Sequence, residues 1–274
     1  MFFSYVFLGR TCVAKVWFVG AGPGDPDLIT VRGRALLARA GAILYAGSLV
    51  SPGHLQYLPA TCTVADSSGM TLEEMVAWLL AQAGQHPEVV RLQTGDPSLY
   101  GALAETAGPL LAAGIEVGVI PGVSSAMASA AAAVETLTLP EVTQTVILTR
   151  VAGRTPMPDG EQLQALARHR CTLCIFLSAT LVETVAAELI AAGWSPTAPL
   201  LVVHKASWPG EEQVIRTNVS DLANLCRSLP VQGQTMIIAS PALTAARHAM
   251  PLETRSRLYD PAFTHGFRSA ISTE

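Results

Sequence analysis

No run of apolar residues in this chain approaches the roughly 18 that a membrane-spanning helix needs, so the sequence offers no transmembrane helix. It also has no basic excess. Lysine and arginine number 17 against 21 acidic residues, for a net charge of −4, whereas a nucleic-acid binder usually carries a positive surplus. A local basic pocket for a small polyanion stays open. The five cysteines, Cys12, Cys62, Cys171, Cys174 and Cys226, are odd in number and spread over a long chain, which argues against a disulfide framework. Cys171 and Cys174 form a C-x-x-C, yet no second Cys or His pair accompanies them, so the motif reads as part of a buried strand and no metal site is expected. No Ser/His/Asp or Cys/His constellation stands out either. The N-terminal stretch FFSYVFLG has no basic residue before it and no A-x-A-like site after it, so it reads as an extension in place of a signal peptide, with the cytoplasm as the default location.

What the chain does have is apolar material: 50% of its 274 residues are hydrophobic, enough for one large or two smaller cores. Short β-rich runs alternate with Ala/Leu-rich helical ones, the pattern of an α/β chain with mostly parallel sheets. VWFVG, AILYA, EVVRLQ and EVGVIP read as strands in the first half, and TVRGRALLARAG, TLEEMVAWLLAQAG, LAETAGPLLAAG and SSAMASAAAAV as helices. Thr71 and Glu74 make a capping box at the start of the second of these helices. The composition changes at ETLTLPEVTQ, after which QTVILTR, CTLCIFLS, PLLVVHKA, QVIRTNV and QTMIIAS resume the strand pattern. This predicts an extension over 1–15, an α/β domain over 16–138, a second over 139–242 and a tail over 243–274.

The glycine-rich stretch VGAGPGDPDLIT, Val19 to Thr30, invites a dinucleotide-binding reading. A dinucleotide turn runs G-x-G-x-x-G straight into a helix whose amides hold a pyrophosphate. Gly20 and Gly22 fit, but Asp25 occupies the third position. Pro23 and Pro26 donate no backbone hydrogen bond and disfavour a helix just before them, which delays the next helix to about Thr30. The following strand, AILYAGS, also lacks the acid expected about 20 residues on. A nicotinamide-dependent oxidoreductase therefore rests on two glycines alone.

In open α/β sheets ligands gather at the carboxyl ends of strands. Four such ends carry more Gly, Pro and small polar residues than a turn requires: GAGPGDP, TGDPSLYG (Thr94 to Gly101), PGVSSAM (Pro121 to Met127) and HKASWPGE (His204 to Glu211). Small residues let a ligand approach the backbone closely. Each stretch also fits an ordinary strand-to-helix turn in which Asp96 or Ser124 caps a helix.

Together, in this order and register, GAGPGDPDLIT, TGDPSLYG, PGVSSAMASAAA and QTVILTR resemble the tetrapyrrole methylase family, enzymes that use S-adenosylmethionine to methylate uroporphyrinogen and corrin precursors. LYAGSLVS, SGMTLEEMV, LTRVAGRTPMP, IFLSAT and KASWPGEE resemble the branch that methylates precorrin-4, with or without cobalt, at C11 to give precorrin-5 in cobalamin biosynthesis. The likeness runs from about Val16 to Ser240, and the tail stretch SRLYDPAFTHGF shares it. It implies the tetrapyrrole methylase fold, two α/β domains with S-adenosylmethionine in the interdomain cleft, and a homodimer. By matching positions, the implied cofactor contacts are Pro23, Thr94, Gly95, Asp96, Leu99, Ser124 and Ser125, with Leu177 and Ala206 from the second domain. Arg32, Arg91, Arg150 and Arg154 lie in or beside the motif loops and are candidates for the substrate's carboxylates, because the guanidinium fork binds carboxylate in pairs; Tyr100 and Trp208 are candidates to flank a flat ring. Relatives acting on uroporphyrinogen carry an Asp beside the second-strand Tyr, where this chain has Tyr45-Ala46-Gly47, so no catalytic base carries over. Asp66 is the candidate catalytic group, and it equally fits a cap on the next helix.

Overall fold

The computed structural model describes residues 14–228, 233–243 and 256–271, together with the backbone of two short strands, β1 (Val6–Phe7) and β2 (Arg10–Thr11), which pair antiparallel. Most of the expected N-terminal extension, and residues 244–255 and 272–274 of the expected tail, lie outside the described residues. The chain divides into two compact units: residues 1–128 with 207–212, and residues 129–206 with 213–274. The division falls inside a helix, ahead of the composition change near residue 140.

The first unit contains β3 (Lys15–Gly20), α1 (Val31–Leu37), β4 (Ala42–Tyr45), β5 (Thr63–Asp66), α2 (Leu72–Ala83), β6 (Glu88–Gln93), α3 (Leu103–Ala112) and β7 (Glu116–Ile120), and the start of α4 (Ser125–Ala133). Its five strands form a wholly parallel sheet in the order β5-β4-β6-β3-β7. Successive residues of a strand face opposite sides, and both sides of the three inner strands, β4, β6 and β3, are covered. Val19, Ile43, Val90 and Leu92 join Leu36 and Leu37 of α1 on one side, while Val16, Phe18, Leu44 and Val89 join Leu79 of α2 and Leu110 of α3 on the other. That double burial explains why these strands read as continuous apolar runs instead of alternating ones. α1 begins where the prolines allow it to: Thr30 caps it, its side chain accepting from Gly33 N at 3.0 Å. α2 carries the capping box, with Glu74 N donating to Thr71 Oγ1 at 3.2 Å and Thr71 N to Glu74 Oε2 at 2.7 Å.

The second unit contains β8 (Val146–Arg150), α5 (Leu163–Ala167), β9 (Thr172–Phe176), α6 (Val182–Ala191), β10 (Pro199–His204), β11 (Gln213–Asn218), α7 (Leu222–Ser228) and β12 (Thr235–Ala239). The sheet order is β11-β10-β12-β9-β8, and here the expectation of parallel pairing needs correction. Only β8 and β9 are parallel, and the other three pairings are antiparallel. β10 and β11 form a hairpin with no helix between them, and β12 inserts between β10 and β9 against both. A linear pattern of alternating strands and helices carries no information on which strand inserts where. The core of this unit gathers Leu163, Leu173, Ile175, Val185, Leu189, Val202 and Ile237. Cys171 belongs to this core, while Cys174, between Leu173 and Ile175 on β9, is buried on the other face of the sheet, and burial pushes its thiol up to about 12.

Candidate functional site

The strand order of the first unit puts three of the glycine-rich loops side by side. β6, β3 and β7 are neighbours and all parallel, so the segments that follow them leave the same edge of the sheet. The three segments interlock through their backbones. Gly22 and Gly95 exchange hydrogen bonds, with Gly95 N donating to Gly22 O at 2.8 Å and Gly22 N to Gly95 O at 3.4 Å. Asp96 spans to the third loop, its Oδ2 accepting from Gly122 N at 2.9 Å while Oδ1 accepts from Ser98 N at 2.9 Å and from the Ser98 hydroxyl. Glycine is required for this approach. A Cβ on Gly20 would stand 2.5 Å from Gly95 O and 2.6 Å from Gly122 Cα, and one on Gly122 would overlap Gly95 O. Gly95 itself has φ +62, and beside its own Cβ position the nearest atom is Val123 O at 4.0 Å. The backbone there is open to a ligand, which suits a group read by amides and carbonyls.

Electrostatics at this edge follows from the hydrogen bonds. Partial burial pushes the Asp96 carboxyl up, but the bonds from Ser98 and Gly122 outweigh it and hold the group below the usual carboxylate range. Asp66 lies three strands away from β3, at the end of edge strand β5. Its Oδ1 accepts from Gly47 N and Ser68 N, both at 2.9 Å. The Ser68 amide, opposed by partial burial and helped by the Gly47 amide, keeps Asp66 below the usual range too. The carboxylate packs closely on Gly47, where a Cβ would lie 2.5 Å from the Asp66 Cγ and oblige the side chain to turn away.

The remaining candidates separate by environment. Pro23 is buried in the loop after β3. Thr94 and Leu99 flank Asp96 in the loop after β6, and Leu99 N donates to Asp96 O at 3.2 Å. Ser124 precedes α4, and its Oγ accepts from Ala126 N at 3.3 Å, so it does serve as a cap; Ser125 is the first helical residue. Tyr100 is 47% exposed with φ +56. Arg32 is exposed on α1, its guanidinium 5.7 Å from the Trp17 ring. Arg91 is only 6% exposed and lies within β6, donating to Ser67 Oγ at 2.8 Å and Leu44 O at 3.4 Å. Burial lowers its pKa to about 10 against the pull of the Asp66 charge. In the second unit, Arg150, Leu177 and Ala206 sit at or just after the ends of β8, β9 and β10, strands that share one direction, so all three emerge at the same sheet edge. Leu177 is 66% exposed with φ +53, whereas Ala206 is buried. The Arg150 guanidinium folds back onto carbonyls of Val151, Thr155 and Pro156, and Arg154 is exposed.

Two features of the site had no signal in the linear pattern. His54, in the 3-10 helix Pro52–Tyr57, is 1% exposed, with Nε2 2.8 Å from Ala21 O and Nδ1 3.0 Å from Ser51 O, bracing the residue that follows β3. Gln93, also buried, holds Gly101 O through Nε2 at 2.5 Å. Only the fold brings these side chains to the loops. The glycine turn itself does not meet the dinucleotide requirement. After Gly22 the chain passes through a single 3-10 turn at Pro26–Leu28, and no helix N-terminus follows until Val31. The nicotinamide reading is therefore not supported.

Known proteins resemble this chain over most of its length. The family model described as Tetrapyrrole (Corrin/Porphyrin) Methylases matches residues 15–223. The chain is 48% identical over 260 residues to the cobalt-precorrin-4 C(11)-methyltransferase of Priestia megaterium, covering 95% of this chain and 100% of that one. It is 42% identical over 254 residues to the precorrin-4 C(11)-methyltransferase of Pseudomonas aeruginosa, covering 92% and 98%. Among solved structures, the uroporphyrin-III C-methyl transferase of Thermus thermophilus complexed with S-adenyl homocysteine superposes with a TM-score of 0.71 at 30% identity, over 85% of this chain and 100% of that one.

Proposed function

The chain belongs to the tetrapyrrole (corrin/porphyrin) methylases, and from that premise we propose that it transfers a methyl group from S-adenosylmethionine to C11 of precorrin-4. The observation that carries this reading is the interlocked set of strand-end loops, GAGPGDP, TGDPS and PGVSS, in a chain so similar over its length to enzymes named for that step. When bound, S-adenosylmethionine supplies an electrophilic methyl on a sulfonium, open to in-line displacement. The protein's part is then mainly to hold the methyl and the ring carbon at attack distance, an effect worth on the order of 7 to 11 kcal/mol. Such chemistry needs no nucleophile-and-base constellation. Pro23, Thr94, Gly95, Asp96, Leu99, Ser124 and Ser125 are the proposed cofactor residues of the first unit, and Leu177 and Ala206 those of the second. Asp96 contributes through the loops, since both of its oxygens already accept hydrogen bonds from the chain. For the polycarboxylate substrate, exposed Arg32 and Arg154 and half-exposed Tyr100 are the better-suited groups, because Arg91 and Arg150 spend their donors inside the chain. Asp66 stays the candidate for assisting proton removal.

The 48% identity to the Priestia enzyme favours the cobalt-bearing form of the same substrate as a second reading. We place both within one assay: precorrin-4 generated with and without cobalt, incubated with S-adenosylmethionine and followed by mass spectrometry for the gain of one methyl group. Gain with neither substrate rules out the assignment, and the preferred substrate decides between the two readings. A homodimer in the cytoplasm belongs to the same proposal; no helix among the described residues is long and apolar enough to cross a membrane, and sedimentation measures the oligomeric state directly.

A further inference from the structure

The segment Ser207–Glu212 belongs to the first unit although the strands on either side of it, β10 and β11, belong to the second. His204 pairs with Gln213, so a tight turn would have closed this hairpin. Hairpin connections ordinarily take about two to five residues, and this one is longer and contorted. Lys205 (φ +49) and Ser207 (φ +66) adopt the left-handed region that costs a non-glycine residue energy, a feature that persists only where the surroundings hold it. Glu212 does so in part, accepting from Ser207 N through Oε2 at 2.5 Å, and Trp208 O accepts from Glu211 N and Glu212 N, both at 3.1 Å.

The contorted loop is used against GAGPGDP. Trp208 Nε1 donates to Pro23 O at 3.0 Å, and Ser207 Oγ accepts from Asp25 N at 3.1 Å. Gly24, between these two pins, lies flat against the indole. A Cβ there would overlap the Trp208 ring, standing 2.6 Å from Nε1 and closer still to Cδ1. The identity of residue 24 and the ring at 208 are thus matched to each other across the sequence. We propose that Trp208 is a positioning residue for methyl transfer, holding Pro23–Gly24–Asp25 in one conformation by its ring and its N–H, with Ser207 as the second pin. This rests on the methyltransferase reading, and it assigns Trp208 to the loop in place of the substrate ring.

The test is a set of Gly24→Ala, Trp208→Ala, the double variant and Trp208→Phe, assayed for kcat and KM in methyl transfer and for thermal midpoint. An ångström of misplacement costs about a hundredfold in rate, so Gly24→Ala is expected to lower kcat/KM by about that factor with Trp208 present. In the Trp208→Ala background, where the clash is gone, the same substitution changes kcat/KM by less than about twofold, within the additivity error of uncoupled sites. Trp208→Ala alone lowers kcat/KM about tenfold, whereas Trp208→Phe, which keeps the ring and loses one hydrogen bond, loses about fivefold or less. Rates are read well below every midpoint, so a ring that served stability alone would move the midpoint and leave kcat/KM unchanged, and that result overturns the proposal. An equal cost of Gly24→Ala in both backgrounds overturns it as well. If the wild type methylates no form of precorrin-4, the functional reading fails separately, and the hold of Trp208 on Pro23–Gly24–Asp25 is then judged by whether Gly24→Ala lowers the midpoint only when Trp208 is present.

Discussion

Replacing Asp96 with alanine removes the side chain that ties the loop after β6 to the loop after β7. Three hydrogen bonds are lost, but not equally. Ser98 is exposed, so its amide and hydroxyl turn to water at little cost. Gly122 N is half-buried and packed so tightly against Gly20 that no side chain substitutes for the missing acceptor. A hydrogen bond to a charged group is worth about 1.5 to 3 kcal/mol, and about 2 kcal/mol is the expected net loss. If that loss falls on the ligand-bound state, it corresponds to about a thirtyfold weaker affinity for S-adenosylhomocysteine. Calorimetry on Asp96→Ala and Asp66→Ala side by side tests this, because Asp66 makes bonds of similar length at Gly47 and Ser68, away from the interlocked loops. The expected change for Asp66→Ala is about twofold or less, within the error of independent sites. Equal losses for the two variants would refute the reasoning. The pH dependence carries a sign as well. The folded Asp96 is held below its ordinary value of 3.8, so its contribution is complete above that value and disappears as pH falls through the depressed one. Asp96→Ala should flatten that part of the acid limb of stability in a wild-type comparison.

Gly122→Ala should cost more than any surface substitution, since its Cβ would overlap the Gly95 carbonyl and lie 2.8 Å from Gly20 Cα; about 3 kcal/mol or more is expected for overpacking against backbone, read from the denaturant midpoint, and an unchanged midpoint contradicts the loop geometry. His54→Leu removes the ring N–H that lies between Ala21 O and Ser51 O and leaves the carbonyl it serves without that donor, for an expected loss of about 1 to 3 kcal/mol; a variant as stable as the wild type would mean that water replaces the imidazole. In thiol labelling at pH 8, a pKa near 12 leaves only about one Cys174 side chain in ten thousand as thiolate. Peptide mass spectrometry should therefore find Cys174 unmodified in the native protein and modified after denaturation, and rapid native labelling would show that the strand opens.

Much of the architecture follows from local physics that a linear reading can follow. Val16–Val19 and Val89–Leu92 lie between helix-covered faces, so their apolar runs read as strands. Thr30, Thr71 and Glu74 announce helix starts by side-chain chemistry that needs no distant partner. The prolines after Gly22 forbid an immediate helix by their own covalent geometry, which is why the dinucleotide reading failed before any fold was known. β5 escaped detection for the converse reason: four residues, mostly exposed and paired on one side only, leave little hydrophobic signal.

Tertiary structure alone decided which distant residues meet. Strand order, not sequence order, set the Gly20, Gly95 and Gly122 backbones against one another and brought the Asp96 carboxylate to the Gly122 amide. It buried Arg91 within β6 and set the Trp208 indole against Pro23 and Gly24. Propensities, caps and proline geometry act within a few residues and are written in the chain in order. Close backbone approach, burial of a charge and a ring seated on a glycine depend on separations that only chain folding sets, so each glycine of GAGPGDP showed its reason only when its partner arrived from elsewhere in the sequence.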